Sequence, residues 1–295
     1  MPFIPATPRT LLWAKLFQRI SAFLSFLSLT YFFLFLNIEL LHLTLGFPEN
    51  LCRTTIDYNP FFSSEDHLSG LFLKETFNIC LILVFSLQHS LMAREGFKEI
   101  CKEINQKYVF FERSLFTFTA SLCLGLALFL HQPNDKVFID FSCTMTNSFM
   151  LFLLFLHVLL EFKAFYDMRD ADLLGFAHIR LFEEKLGTTY PIEFIERKPS
   201  LLSQMMRHPI YYGLLAHLWL SSTKITYGRI MFNIYLTIFI IIGTYFEEKE
   251  IIRKYPNYAE YMKNTPNKFF PNLAILGHSY TSAKGTYTCT RAKGA

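Results

Sequence analysis

Long apolar runs separated by short polar segments divide the chain into six predicted membrane helices. They span Ile20–Phe47, Leu71–Ala93, Ser114–His131, Ser148–Phe165, Pro209–Ser222 and Ile230–Phe246. A helix needs about 20 apolar residues to cross the hydrocarbon core of a bilayer. The fifth run is shorter, so we expect this helix to be tilted or to lie among the others. Because backbone hydrogen bonds must be satisfied internally in hydrocarbon, the pattern predicts an all-α polytopic membrane helix bundle.

Lys and Arg are concentrated in alternate segments. The N-terminal segment has three of them, the second connection five, the fourth connection seven and the C-terminal segment eight, whereas the other three connections have one, one and two. Segments rich in Lys and Arg stay on the cytosolic side of a membrane. We therefore predict that both termini are cytosolic, with Arg207-His208 and Glu247-Glu248 at the same membrane face. The fifth and sixth helices then form a short hairpin that brings these two pairs together.

The composition indicates one membrane domain without a nucleic-acid partner. Apolar residues make up 52% of the chain, charged residues 18%, and the formal net charge is +4. We predict a single domain over residues 1–271, embedded in a lipid bilayer, and a mobile polar tail over residues 272–295. The endoplasmic reticulum or nuclear envelope, the mitochondrial inner membrane and a bacterial plasma membrane all fit this pattern, and the sequence indicates no particular protein partner.

Six scattered cysteines show no metal-binding spacing, so no metal site is predicted. Cys52 and Cys143 fall in connections on the same side, where a disulfide can form, although isolated thiols are the expected state.

The stretch Met206–Gly213 carries the candidate chemistry. Pro209 suits the first turn of a helix. Arg207 and His208 are therefore predicted at an exposed helix start, where free N–H groups and the helix dipole favour a carboxylate or phosphate. Gly213 leaves a gap where a ligand or another helix can come close. The alternative interpretation is a basic flank and aromatic belt at a membrane surface.

Two carboxylates at the same membrane face change this picture. Glu247 or Glu248 can take ribose hydroxyls or an ammonium group. Tyr212 and Trp219 can offer aromatic faces to a cation. S-adenosylmethionine combines a carboxylate, an ammonium group, a ribose and a sulfonium, so we predict it as the ligand.

An ordered set of residues in this half resembles a known superfamily. The set is Arg207-His208-Pro209-x-Tyr211-x-Gly213, Trp219, Glu247-Glu248, Tyr255-x-x-Tyr258-x-x-Tyr261, Pro266 and Pro271. It is similar to the C-terminal half of the isoprenylcysteine carboxyl methyltransferase and phospholipid methyltransferase group. The resemblance implies that this half binds S-adenosylmethionine, with Pro209, Tyr211, Tyr212, Gly213 and Tyr258 among the contacts.

The N-terminal half resembles one branch of that superfamily. Gln88–Arg94, Glu112–Ser114 and Asp172–Gly175 are similar to methanethiol S-methyltransferases, which are related to the NnrU and nurim proteins. This implies methyl transfer to a small thiol, with Asp172, Gly175 and His178 in a loop that caps the substrate. In the branch pattern a His precedes this loop segment and Arg-Gln follows it. Here those positions are Asp170 and Ala177-His178, so substrate and retention of activity stay open.

Four polar side chains near or within the helices are candidates for a catalytic or a structural role. A thiol acceptor must be deprotonated, and His89 lies at a suitable depth to act as the base, although a structural hydrogen bond is the alternative. His208 is a second candidate catalytic residue. His157 and Glu161 are four residues apart and share a helix face. We interpret them as a polar pair inside the bundle.

Two other functions fit the sequence. One is a non-catalytic nurim-like membrane scaffold or a subunit of a larger complex, which the altered loop favours. The other is a methyltransferase that acts on a lipid or on a prenylcysteine carboxylate.

Overall fold

The computed structural model describes residues 7–46, 55–59, 68–167 and 200–273. These ranges contain nine helices and two short strands. In chain order they are α1 (Pro8–Leu45), α2 (Leu68–Ala93), α3 (Glu95–Ile104), α4 (Tyr108–Phe129), β1 (Val137–Asp140), α5 (Thr144–Asp167), α6 (Leu201–Met205), α7 (Pro209–Leu220), β2 (Lys224–Thr226), α8 (Tyr227–Lys254) and α9 (Tyr258–Asn264).

The predicted all-α membrane bundle is confirmed. Five helices, α1, α2, α4, α5 and α8, are long and apolar enough to cross a membrane. The predicted fifth span is α7, which has only 12 residues and a length of about 18 Å. Since Gly213, Ala216 and His217 on α7 are buried, this helix lies among the others. This is one of the two arrangements that we expected for it. The protein is a multi-pass integral membrane protein.

Helix α1 is 38 residues long and begins twelve residues before its predicted start at Ile20. Thr7 caps it by accepting a hydrogen bond from the Thr10 N–H at 3.1 Å, and Pro8 occupies the first turn. It ends at Gly46, which has a left-handed φ of 68° that favours glycine.

Small polar residues join α1 to α4. The Ser25 and Ser121 hydroxyls are 2.7 Å apart, and the Ser28 hydroxyl donates to the Ser121 carbonyl at 2.8 Å. Gly125 leaves room beside Ser28. Small residues of this kind let membrane helices approach closely.

The two ends of the bundle are built from different contacts. At one end, Lys254 pairs with Glu95, and the Arg94 guanidinium lies 4.6 Å from the Phe246 ring centre. Ala14 and Phe110 form a small buried hydrophobic cluster there. We call this the basic end, because the predicted Lys- and Arg-rich segments meet at it, and we call the opposite one the far end.

A buried arginine fixes the far end of the α7–α8 hairpin. Arg229 donates to the Leu36 carbonyl at 3.0 Å and to the Ser221 hydroxyl at 2.9 Å. Its Nη2 lies 2.6 Å from the Asp57 carboxylate. These bonds tie the hairpin to α1 and to segment 55–59.

A two-stranded antiparallel sheet, which the sequence did not predict, also lies at the far end. Strand β1, before α5, pairs with β2, in the turn between α7 and α8. The sheet therefore holds the start of α5 next to the α7–α8 hairpin. Cys80, Cys101, Cys123 and Cys143 are free thiols, and Cys52 lies outside the described residues.

Candidate functional site

The start of α7 is held by the segment that follows α9. The Arg207 N–H donates to the Asn267 carbonyl and the His208 N–H to the Lys268 carbonyl, each at 3.0 Å. The Asn272 N–H donates to the Met205 carbonyl at 3.0 Å. This backbone pairing presents the Arg207 and His208 side chains towards α8.

Three basic side chains bond to the carboxylate of Glu248 on α8. Its Oε1 accepts from Arg207 Nε at 2.8 Å and pairs with His208 Nε2 at 2.9 Å. Its Oε2 lies 3.1 Å from Lys268 Nζ. We call these four residues the Glu248 cluster. A buried carboxylate with several hydrogen-bonded cations has its charge well compensated.

Our expectation that Arg207 and His208 are exposed and have no packing role is wrong. Their side chains are 9% and 6% exposed. The Arg207 Nη1 also donates to the Thr265 carbonyl at 2.8 Å and to the Pro266 carbonyl at 2.6 Å. The sequence could not show this burial, because the groups that cover them follow 40 to 59 residues later in the chain.

One donor of the cluster and one acceptor of the adjacent Glu247 have no partner among the described residues. The hydrogen bonds of Arg207 use its Nε and Nη1 and leave Nη2 available. The neighbouring Glu247 accepts from the Tyr211 hydroxyl with Oε2 at 3.0 Å, which leaves Oε1 available. A guanidinium N–H and a carboxylate oxygen are complementary to the two charged groups of a free amino acid.

Burial sets the protonation of two groups at the cluster. It lowers the pKa of His208 below the ordinary value of 6.5, an effect that the Glu247 and Glu248 carboxylates oppose. His208 is thus kept largely neutral. Burial also raises the pKa of the Tyr258 phenol, and the nearby charge of Glu248 raises it further. Tyr258 is therefore a neutral hydroxyl close to the cluster.

In the first turn of α7, no described residue outside the helix and its N-cap accepts from the backbone N–H groups. His208 is the N-cap residue and makes no side-chain capping hydrogen bond, because its ring is turned towards Glu248. The first N–H groups of a helix need a partner from outside the helix, and an anion suits them. Pro209 at the first position has no N–H to satisfy.

Tyr212 and Gly213 face α5. The Tyr212 hydroxyl is 3.0 Å from His157 Nε2, and its ring packs against Phe270. A Cβ atom on Gly213 would lie 2.1 Å from Glu161 Cγ. The gap predicted at Gly213 is therefore filled by the side chain of another helix.

His157 and Glu161 share a helix face inside the bundle, as predicted. Both side chains point into the bundle, but each bonds to α7 and they do not bond to each other. His157 contacts Tyr212, and Glu161 Oε1 lies 2.9 Å from His217 Nδ1.

Trp219 lies away from the Glu248 cluster. It is at the last turn of α7, about 15 Å along the helix axis from the first turn. Its indole N–H donates to the Thr237 hydroxyl at 3.1 Å and the residue is 48% exposed. A contact between Trp219 and the donor stays a prediction that this position does not favour.

His89 lies in an aromatic environment on a different side of α8. Its ring centre is 4.9 Å from that of Phe116, 5.7 Å from that of Phe85 and 5.9 Å from that of Phe239. Its Nδ1 is buried without a partner among the described residues. No contact in the described part of the chain joins it to the Glu248 cluster. Asp172, Gly175 and His178 of the predicted substrate loop lie outside the described residues.

Sequence reasoning missed the role of the segment after α9. Lys268 pairs with Glu248, and the Phe269 ring centre lies 6.1 Å from that of His208. The only signal was the pair of prolines at 266 and 271. Residues before proline favour extended backbone, which suits the pairing with Met205–His208.

Comparisons with known proteins support the resemblance. The methanethiol S-methyltransferase of Pseudomonas deceptionensis is 30% identical over 188 residues, which cover 63% of this chain and 69% of that protein. The methanethiol S-methyltransferase of Crocosphaera subtropica is 29% identical over 186 residues, or 61% and 70% of the two chains. Nurim of Danio rerio is 24% identical over 179 residues, or 56% and 60%.

No protein-family model and no solved structure matches the chain. The identity to the Pseudomonas relative and the share of that protein that is covered nevertheless assign the chain to a family. The chain belongs to the methanethiol S-methyltransferase and nurim branch of the membrane methyltransferases.

Proposed function

We propose that this protein transfers a methyl group from S-adenosylmethionine to a small thiol. The observation that carries the proposal is the pair of unused groups at the Glu248 cluster, Arg207 Nη2 and Glu247 Oε1. They match the carboxylate and the ammonium group of the donor's methionyl part. When bound, the donor supplies a methyl group on a sulfonium.

The side chains have separate roles in this proposal. Arg207 and the first-turn N–H groups of α7 hold the donor carboxylate. Glu247 holds the ammonium group, and Tyr258 is close enough to the cluster to donate to a ribose oxygen. Glu248 has its charge compensated by its own cluster, so it positions Arg207 and His208 instead of contacting the donor.

The names of the relatives support a thiol acceptor. Two of them are called methanethiol S-methyltransferase. Methyl transfer to sulfur is a displacement in which the protein aligns the two partners and removes the thiol proton. The cluster lies at the basic end, where α7, α8 and the segment after α9 surround it.

A transfer assay tests the proposal. Purified protein in lipid nanodiscs is incubated with methyl-labelled S-adenosylmethionine and methanethiol, and volatile labelled sulfide is measured. We expect transfer by the wild type, a loss of at least tenfold in Glu247→Gln, and wild-type rates in Glu250→Gln. Glu250 is the matched control, because it is on the same helix and pairs with Arg253. Absence of transfer by the wild type to methanethiol contradicts the proposal.

A second candidate is the non-catalytic scaffold. The observation in its favour is that the Glu248 cluster satisfies most of its charges without a ligand, and nurim is among the relatives. A scaffold shows no thermal stabilisation by the donor, whereas an enzyme that binds it in the folded state does. Transfer to a prenylcysteine instead of methanethiol in the same assay supports the lipid-directed alternative.

A further inference from the structure

Two imidazoles lie between α5 and α7, inside the membrane-spanning part of the bundle. His157 on α5 and His217 on α7 each bond across the interface. Ionisable groups in a membrane interior are costly and are commonly functional. The two imidazoles differ in what their second nitrogen does.

Both nitrogens of His157 have partners. Nδ1 is 2.7 Å from the Leu153 carbonyl and must donate to it, because a carbonyl only accepts. Nε2 of the neutral ring then accepts from the Tyr212 hydroxyl at 3.0 Å. His157 is therefore a satisfied structural contact.

His217 has one nitrogen without a partner. Its Nδ1 lies 2.9 Å from Glu161 Oε1, and a carboxylate there accepts the Nδ1–H. The lone pair is then on Nε2, which is buried and has no hydrogen-bond partner among the described residues. The His217 side chain is 6% exposed. A carboxylate that orients an imidazole and leaves Nε2 free is the arrangement of a general base.

The backbone of α7 is shaped for this pair. Glu161 lies against Gly213, one turn before His217, at a position where any larger residue would overlap it. The titratable neighbours on α5 and α7 that approach the pair are His157, one turn before Glu161, and Tyr212, just before Gly213, and they bond to each other.

An apolar groove of about 480 Å³ between α1 and α5 ends at Phe33, whose other side faces the imidazole. Its lining includes Phe33, Leu154 and Val158. The Phe33 ring meets the His217 ring edge-on, with 5.6 Å between ring centres. Phe33 therefore separates the imidazole from a groove that is open where the helices face lipid.

We propose that His217, oriented by Glu161, accepts the proton of the thiol, and that the acceptor is an apolar thiol that enters from the bilayer past Phe33. This rests on the proposed methyl transfer. The S–H bond breaks and its proton goes to His217 Nε2. The sulfur lone pair forms the new bond to the methyl carbon, while the electron pair of the broken C–S bond stays on the donor sulfur. The imidazolium later releases its proton to solvent.

The depth of the pair is consistent with this role. His217 is eight residues after Pro209, about 12 Å along α7. Pro209, Gly213 and His217 follow one another at intervals of four residues and share a helix face. That separation matches the length of the methionyl chain of a donor and a thiol placed end to end, with the reacting atoms about 3–3.5 Å apart. Donor and thiol would then lie beside Glu161, which occupies the space against Gly213.

The test compares His217→Gln with His157→Gln across pH. At neutral pH we expect kcat/KM for methanethiol to fall about a hundredfold in His217→Gln, a usual loss for a general base. The loss should shrink as pH rises, since solution thiolate then replaces the base. His157→Gln should lower the thermal midpoint and keep the wild-type pH profile. Glu161→Gln is the second base variant, with a smaller loss of the same pH dependence. A wild-type pH profile in both base variants overturns the proposal.

The acceptor class is tested with the wild-type protein. Rates are compared for methanethiol, a longer alkanethiol and glutathione, which is charged and does not partition into lipid. We expect transfer to both alkanethiols and at least a hundredfold lower kcat/KM for glutathione. Equal kcat/KM for glutathione and methanethiol overturns entry from the bilayer.

A binding measurement separates this inference from the proposed function. Methanethiol is added to protein without donor, and the ultraviolet absorption of bound thiolate is recorded for the wild type and His217→Gln. Thiolate seen only with the wild type supports the base, even where no methyl transfer follows and the proposed function fails. Methyl transfer by the wild type without a His217-dependent thiolate signal or pH profile supports the function and overturns the base.

Discussion

The two ends of the α7–α8 hairpin are both built on buried ion pairs, but with opposite excess charge. At the basic end one carboxylate, Glu248, receives Arg207, His208 and Lys268. At the far end one guanidinium, Arg229, lies 2.6 Å from Asp57 and 3.8 Å from Glu39. Cations exceed anions in the first set, and anions exceed cations in the second.

The difference separates a binding site from a structural contact. Both terminal nitrogens of Arg229 are occupied by protein groups, its Nε is buried without a partner among the described residues, and its side chain is 4% exposed, so no group of it is open to a ligand. Arg207 keeps Nη2 without a partner among the described residues, and Glu247, next in the chain to its partner Glu248, keeps Oε1 available. A buried ion pair alone therefore does not indicate function. The unused hydrogen-bonding groups at its edge do.

The largest effect is expected at the far end. Arg229→Leu leaves Asp57 without its cation, and removing one partner of a buried pair costs about 3–5 kcal/mol. Thermal unfolding should show this loss. Arg253→Leu is the control, since its side chain is 64% exposed and such surface changes stay within about 0.5 kcal/mol. Equal midpoints for the two variants would show that the far end is no structural contact.

The next effect distinguishes the two adjacent carboxylates. Glu248→Gln weakens charge-assisted hydrogen bonds to three residues, so we expect a loss of stability of about 1.5–3 kcal/mol. Glu247→Gln keeps the cluster and should change stability by no more than about 0.5 kcal/mol. Chemical unfolding of both variants without ligand measures the difference. The reverse order would mean that Glu247, and not Glu248, organises the basic end.

A third change acts between the two ends. In Gly213→Ala the new methyl group meets Glu161, and overpacking of this kind costs about 1–3 kcal/mol. In Gly243→Ala nothing lies within 4 Å of the new methyl group. That variant should gain about 0.5–1 kcal/mol from helix propensity. Relative to the wild type, the unfolding midpoint should fall in Gly213→Ala and rise in Gly243→Ala. Similar midpoints for the two variants would contradict the close approach of α5 and α7.

The smallest effect is a pH dependence at the basic end. Burial lowers the pKa of His208 below 6.5, so the unfolded chain binds its proton more readily. The stability is fully present above pH 6.5 and is lost as pH falls towards the lower pKa of the folded state. His131 at the far end has a pKa lowered to about 4 by burial and acts in the same direction. Because His208→Gln retains His131, its midpoint should fall less than that of the wild type between pH 7 and 5.5. Parallel curves would contradict the lowered pKa.

The sequence predicted the fold class because hydrophobic length alone determines which helices cross a membrane. The Ser221–Arg229 turn also indicated the hairpin that joins Arg207 to Glu248, and this contact is present. The sequence predicted six membrane spans, and the part of the chain that the structure describes has five helices long enough to cross, because α7 is too short. Since α7 is buried among other helices, its apolar residues pack against protein.

The remaining features depend on contacts between distant segments. The pairing of Asn267 and Lys268 with the start of α7 leaves no periodic pattern in the sequence. His217 lies in an apolar run, and nothing in the sequence pattern was a reason to select it. Its candidate role depends on the contact with Glu161 on another helix. Trp219 and His89 were chosen by residue type, and the structure gives each a different set of neighbours.

Calorimetric titration with S-adenosylmethionine tests the central claim, that the basic end of the α7–α8 hairpin is a donor site. The wild type should bind one donor per chain, and a donor concentration of 100 Kd should add about 2.7 kcal/mol to its stability. Glu247→Gln should fold normally and bind about ten- to a hundredfold more weakly, the loss of one charge-assisted bond of about 1.5–3 kcal/mol. Glu250→Gln should bind as the wild type does. No binding by the wild type, or unchanged affinity in Glu247→Gln, would contradict the claim.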